Sequence, residues 1–201
     1  MHIDKNNREV LIVVDMQNDF IDGVLANPAA KKIVPAVVEE IRQWKGKVVA
    51  TRDTHFASDY ADSVEGRLLP MHCEHGTEGW EIEKSIMDAL VAQNATFVDK
   101  RNFGFIDWPG VLFNMASTDQ AAVATLTAGQ GIRLRFLGTC TDICDLSNVA
   151  ICRAWFPDAR IEVVNGATAS SFDNVKQEAA LEMCRSMLCD VVETVGGKQH
   201  G

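Results

Sequence analysis

Residues 9–15 (EVLIVVD) form an apolar run that ends in an acid. Unbroken hydrophobicity over so short a stretch fits a strand buried on both faces, as in a parallel sheet. The spacing then changes. Over residues 31–44, Ile33, Val34, Val37, Val38, Ile41 and Trp44 fall on one helical stripe, with Pro35 near the first turn. The same reading predicts strands over 47–51, 96–99, 132–137, 160–164 and 191–194. It predicts helices over 81–92, around 121–126, and over 144–155 and 174–189. Strands alternating with helices predict a three-layer αβα sandwich around a central, mainly parallel sheet of five or six strands. In such sheets ligands bind beyond the carboxyl ends of the strands. Asp15, Asp53, Lys100 and the segment after Leu137 all fall at such ends.

One stretch, about 52–80, shows no period and holds three of the five histidines. A loop that long inside a compact domain is usually functional. With 201 residues and 47% in the broad hydrophobic set, the chain reads as one domain over 1–201, with that loop as its one long excursion. Lys+Arg 19 against Asp+Glu 28 gives a net charge of −9, which argues against nucleic acid or an anionic membrane as partner. No apolar stretch approaches the ~20 residues that span a bilayer, and residues 1–9 lack the apolar core of a secretory signal. The six cysteines are too sparse and irregular for a disulfide scaffold, so they read as reduced thiols in a cytoplasmic protein.

Three segments could carry chemistry. In Gly138-Thr-Cys-Thr-Asp-Ile-Cys144 a strand feeds a Gly-led turn, and a helix is predicted to start near Cys144. Free N–H groups and the positive end of the helix dipole would lower the thiol pKa there and could bind an oxyanion. The alternative is that Cys144 is a small buried hydrophobe, the reading we give Cys140, Cys152, Cys184 and Cys189. Asp15 and Lys100 close strands at the same rim, as a base and a cation that could serve such a thiol. Asp15 could equally cap a helix or pair with a surface cation. In the loop, Asp53, His55, Glu65 and His72 make an N/O ligand set suited to zinc, iron or manganese. His75 competes for any one place, and all could be solvated loop residues. His72-Cys73 also suggests a cysteine phosphatase loop, but Gly79 stands where the phosphate-clamping Arg would be needed. Asn6, Asn18 and Asn27 carry no usable signal.

Taken in order, Asp15-Met-Gln-Asn-Asp-Phe20, Thr51-Arg-Asp-Thr-His55, Leu69-Pro-Met-His-Cys73 with Gly76-Thr-Glu-Gly79, Asp99-Lys100, and Gly138-Thr-Cys-Thr-Asp-Ile-Cys144 resemble the isochorismatase-like cysteine hydrolases. Within them, the Asp-x-His and Pro-x-His-Cys pieces point to the nicotinamidase branch. The resemblance implies a triad with Asp15 as base, Lys100 as its positioning cation and Cys144 as nucleophile. It implies an oxyanion hole from the N–H groups of Cys140 and Cys144, after a cis peptide at Thr139–Cys140. It implies one divalent metal ion on Asp53, His55 and His72 with Glu65 added, zinc first and iron or manganese as alternatives. Phe20 and Phe103 would flank the substrate ring, with Leu69 where the family usually has Trp or Phe. The implied reaction converts nicotinamide and water to nicotinate and ammonia, with pyrazinamide as a second substrate and NAD salvage as the setting. The implied partner is a small amide, and family habit suggests a homo-oligomer. Asp145 departs from the small apolar residue usual after the nucleophile, and we expect it to face solvent or complement the dipole. Two other readings stand beside this one: a relative acting on a ureide or carbamoyl substrate, and a non-catalytic metal or small-molecule binding module.

Overall fold

The computed structural model describes residues 3, 7–116, 119–171 and 174–195. Among them are six strands: β1 (Glu9–Val14), β2 (Lys47–Asp53), β3 (Thr96–Lys100), β4 (Arg133–Thr139), β5 (Arg160–Ala169) and β6 (Asp190–Glu193). All neighbours pair in parallel, in the order β3-β2-β1-β4-β5-β6. The helices are α1 (Asn18–Ile21), α2 (Pro28–Gln43), α3 (Lys84–Ala92), α4 (Trp108–Phe113), α5 (Gln120–Thr127), α6 (Leu146–Trp155) and α7 (Asn174–Ser186).

The strand order explains where the helices lie. The chain grows outward from β1 to β3, then returns to pair β4 with the free side of β1. Right-handed crossovers therefore put α2 and α3 on one face and the later helices on the other. Strand β1 divides its side chains accordingly. Val10, Ile12 and Val14 pack with Trp108, Val149, Phe156 and Leu181, while Leu11 and Val13 pack with Ile33, Val37, Ile86 and Leu90. Between β1 and β4 the connections diverge, which opens a crevice at the carboxyl ends of both strands. Gly138 lets the two backbones close up just below it. Its φ is 132°, and a Cβ there would overlap the Val14 carbonyl oxygen.

Several boundaries differ from the periodicity. Helix α2 starts a turn early because Asn27 caps it, its Oδ1 accepting from Ala29 N at 2.9 Å, with Pro28 in the first turn. Pro35 consequently lies inside the helix, not near its start. Helix α3 begins at Lys84, where the Glu83 carboxylate accepts from Ile86 N at 3.0 Å. Strand β5 runs on to Ala169 through a register shift. Phe136 pairs with Val163, but Gly138 pairs with Thr168. Helices α1 and α4 are too short to leave a periodic signal. Strand β2 extends through Asp53, so the loop begins at Thr54. It carries a 3-10 turn at Tyr60–Asp62 and a parallel bridge between His55 and Glu74. Among the described residues no helix is long and apolar enough to cross a membrane.

Candidate active site

Four strand ends meet around the β1/β4 crevice. Asp15 leaves β1 in a left-handed conformation, φ 48°, which Asp tolerates better than most residues. Its N–H donates to the carbonyl and hydroxyl oxygens of Thr51, each at 3.3 Å, and the Thr51 hydroxyl donates to Asp15 Oδ1 at 2.7 Å. Asp15 Oδ2 lies 2.6 Å from Lys100 Nζ at the end of β3. The same ammonium is 3.5 Å from Asp53 Oδ1 and 3.8 Å from Cys144 Sγ. All four residues are buried. One cation thus ties two strand-end carboxylates to a thiol from a third segment. Burial opposes the Lys100 charge, but Asp15, Cys144 and Asp53 hold its pKa well above the usual lysine value. Burial pushes the Asp15 carboxyl up, against the pull of Lys100.

The thiol differs from its expectation. Cys144 does not open a helix. It sits inside a π-helical turn, Thr141–Asp145, that follows a cis peptide at Thr139–Cys140. Burial pushes its thiol well above the ordinary cysteine range, opposed by Lys100 and reinforced by Asp15. Desolvation outweighs the dipole effect expected from the sequence.

The wide turn also puts Thr141, Cys144 and Asp145 together on its buried side. Asp145 therefore does not face solvent. It is buried, and neither carboxyl oxygen has a hydrogen-bond partner among the described residues. Burial holds this carboxyl well above the usual range, aided by Asp15 and opposed by Lys100. The unfolded chain ionises Asp near pH ~3.9. A raised folded value gives stability that is full below the unfolded value and is lost as pH rises through the folded one. The melting temperature of Asp145→Ala relative to wild type should accordingly climb between pH 4 and pH 8, by on the order of a few degrees. Melting curves that stay a constant distance apart over that range would contradict a buried neutral acid.

Beside this group lies the second cluster. Asp53 Oδ2 is 3.1 Å from His55 Nε2 and 3.4 Å from His72 Nε2. Glu65 reaches both imidazoles, at 3.7 and 3.5 Å. One ligand atom from each of the four residues lies within 4.8 Å of the others. His72 Nδ1 is 3.0 Å from the Pro70 carbonyl oxygen and 3.1 Å from the Tyr60 hydroxyl. The carbonyl can only accept, so Nδ1 carries a proton, and Nε2 faces the Asp53 and Glu65 carboxylates. Burial works against a charged His72, yet hydrogen bonds to Asp53 and Glu65 push it up to about 10. The cluster favours positive charge at its centre. Two imidazoles and two carboxylates fit zinc, iron or manganese. His75 stands outside, exposed, its ring against Phe56 and Trp80.

Both clusters meet one cavity of about 110 Å³. Asp53, Glu65, His72, Cys140 and Cys144 line it, together with Phe20, Leu69 and Phe103. Asp15, His55 and Lys100 are buried and are not among its lining residues. Sequence reasoning missed Leu25, Asn27, Ile143 and Ser171, which complete the lining. It also missed the residues that hold the walls in place. Gln17 clamps the end of β2, accepting from Asp53 N at 2.7 Å and donating to the Asp53 and Trp80 carbonyl oxygens at 2.8 Å. Asp19 accepts from Cys73 N at 2.7 Å, and a Cβ at Gly79 would overlap its carboxylate. Asp142 holds Ser171 through N–H and hydroxyl, at 2.7 and 2.6 Å. Asn148 ties the 103–105 loop to the Cys144 carbonyl oxygen. Gln17, Asp19 and Asp142 all sit within the recognised motifs, which is the one signal that pointed to them. Cys73 is fully buried against Phe20 and Trp80.

The nicotinamidase of Saccharomyces cerevisiae is 32% identical over 122 residues, a match covering 46% of this chain and 56% of the yeast protein. The matched part thus spans little more than half the length of that curated relative. The pyrazinamidase of Pyrococcus horikoshii, solved in complex with zinc, superposes with a TM-score of 0.71 at 26% identity, over 92% of this chain and 99% of that one. The nicotinamidase/pyrazinamidase of Bacillus subtilis superposes with a TM-score of 0.72 at 26% identity, over 92% and 100%. The isochorismatase domain model matches residues 9–195, a span that takes in every strand from β1 to β6 and both clusters at their carboxyl ends, and the chain belongs to that family.

Proposed function

We propose that this protein is a cysteine amidohydrolase that converts nicotinamide and water to nicotinate and ammonia. The observation that carries the reading is the shared cavity: a buried thiol bound through Lys100 to Asp15, and a four-residue N/O cluster, on the walls of one small chamber flanked by Phe20 and Phe103. The three relatives named above are nicotinamidases or pyrazinamidases by name.

Burial favours the neutral thiol, so the proton leaves as attack begins. Asp15 takes it, and Cys144 Sγ forms a bond to the amide carbon. The N–H groups of Cys140 and Cys144 hold the electron pair that moves to the carbonyl oxygen. As the C–N bond breaks, Asp15 returns the proton to nitrogen and ammonia leaves. A water then gives a proton to Asp15 and attacks the thioester. The C–S bond breaks, and Asp15 reprotonates the sulfur. Lys100 stays charged throughout and holds the carboxylate against the sulfur. Asp53, His55, Glu65 and His72 would hold one divalent ion, which supplies a Lewis acid on the cavity wall when bound.

The test is ammonia release from nicotinamide by the purified protein before and after chelation, with Zn²⁺, Mn²⁺ and Fe²⁺ added back. Release should fall on chelation and return with metal. His72→Ala should lose bound metal by elemental analysis, and full metal content in that variant would remove His72 from the ligand set. Hydrolysis of an N-carbamoyl or ureide substrate, with nicotinamide untouched, would move the assignment to that branch of the family.

A further inference from the structure

The cavity against Cys144 shares its outer wall with a second space. Glu65, Leu69 and Phe103 line the cavity, and the same three residues line an outer chamber of about 740 Å³. That chamber also carries Val64 and Leu68, which are 70% and 79% exposed, and Phe103 itself is 42% exposed. Exposed apolar side chains beside a buried reacting centre offer surface to an apolar part of a ligand. The charges at the rim limit which ligand. Asp59 and Asp62 stand there against Arg101, whose guanidinium is already paired with Asp59 at 2.6 Å. The excess is acidic, so a neutral group is admitted and an anionic one repelled.

We infer that the outer chamber is an extension of the substrate site: the protein takes primary aromatic carboxamides whose ring bears a neutral apolar substituent, and Leu69 sets how far the substituent reaches. The inference rests on the amidase reading of Cys144 given above. Leu69 stands on the boundary between the two spaces, and its branched aliphatic side chain covers less of the opening than a fused aromatic ring would. Each methylene that passes it and leaves water is worth about fourfold in binding.

The experiment compares kcat/KM for ammonia release from nicotinamide with that from nicotinamides bearing a propyl group at each free ring position in turn. Carboxyethyl analogues are run in parallel. At one position or more, the propyl compound should be hydrolysed within about tenfold of nicotinamide or faster, while the carboxyethyl analogue lags it by about tenfold. In Leu69→Trp the ratio of propyl compound to nicotinamide should fall by at least about tenfold. Leu68→Ser, a change at an exposed position that leaves the core untouched, should lower the same ratio by about threefold. Rejection of the propyl group at every position by more than about 100-fold, with nicotinamide turned over normally, would overturn the inference and leave the amidase reading intact. An unchanged ratio in Leu69→Trp would overturn the role of Leu69. Failure to release ammonia from any of these amides, nicotinamide included, in the metal-loaded protein would bring down the amidase reading and the inference with it.

Discussion

Ammonia release from nicotinamide is expected to fall by at least about 10⁴-fold when Cys144 is replaced by alanine, because the other thiol on the cavity wall, Cys140, is pushed up to about 12 by burial and lacks the Lys100 contact that Cys144 has. The fold should survive. The change removes one sulfur from a buried turn whose backbone bonds, including Asp145 N to the Cys140 carbonyl oxygen at 3.1 Å, remain. Such a truncation costs on the order of 1 kcal/mol. Cys73→Ala is the control. That thiol is equally buried, but it packs on Phe20 and Trp80, and burial holds it firmly protonated. It should lower the melting temperature while keeping turnover within about threefold of wild type. Alkylation by a small reagent should separate the two thiols independently, since Cys144 lines the cavity beside Lys100 and Cys73 does not line it. Unchanged turnover in Cys144→Ala would end the covalent mechanism.

Lys100→Met should cost both activity and stability. Lys100 Nζ faces Asp15 Oδ2 at 2.6 Å and Asp53 Oδ1 at 3.5 Å, all inside the protein. Removing one member of a buried ionic group leaves uncompensated charge and costs about 3–5 kcal/mol. For a chain of this size that corresponds to a melting temperature lower by on the order of 10 °C. The sign of the pH dependence follows. Without the cation, burial drives Asp15 further up. A carboxyl whose folded pKa lies above its unfolded value stabilises the fold below the unfolded value and loses that contribution as pH rises. The deficit of Lys100→Met against wild type should therefore be larger at pH 8 than at pH 4. Adding Asp15→Asn removes the orphaned charge and should recover part of the stability without any turnover. Thermal denaturation of the three proteins at both pH values, with ammonia release measured alongside, separates the two roles of Lys100. A double variant no more stable than the single one would mean that Asp15 and Lys100 do not balance each other.

The sequence alone determined the strands, their alternation with helices and the parallel sheet, because a short apolar run or a helical stripe is a local property of neighbouring residues. It also placed Asp15, Asp53 and Lys100 at strand ends, since the polarity change that ends each run is itself local. Asp53, His55, Glu65 and His72 were readable as a candidate ligand set from residue type. What brings their donor atoms within 4.8 Å is tertiary, because the loop folds back through the His55–Glu74 bridge and the Asp19 clamp on Cys73. The side of the sheet on which β4 pairs, and so the crevice itself, depends on contacts between segments more than a hundred residues apart. Asn27 and Ser171 were silent for the same reason, because their partners Ser170 and Asp142 lie far along the chain. Asp145 was misread because periodicity assumed an α-helix where the chain makes a wider turn. The Cys144 thiol was expected at a lowered pKa because the dipole acts locally, whereas desolvation, which raises it, is set by everything packed around the thiol. Residue type and local period are written along the chain; burial, and the pairing of charges that burial enforces, exist only once distant segments have come together.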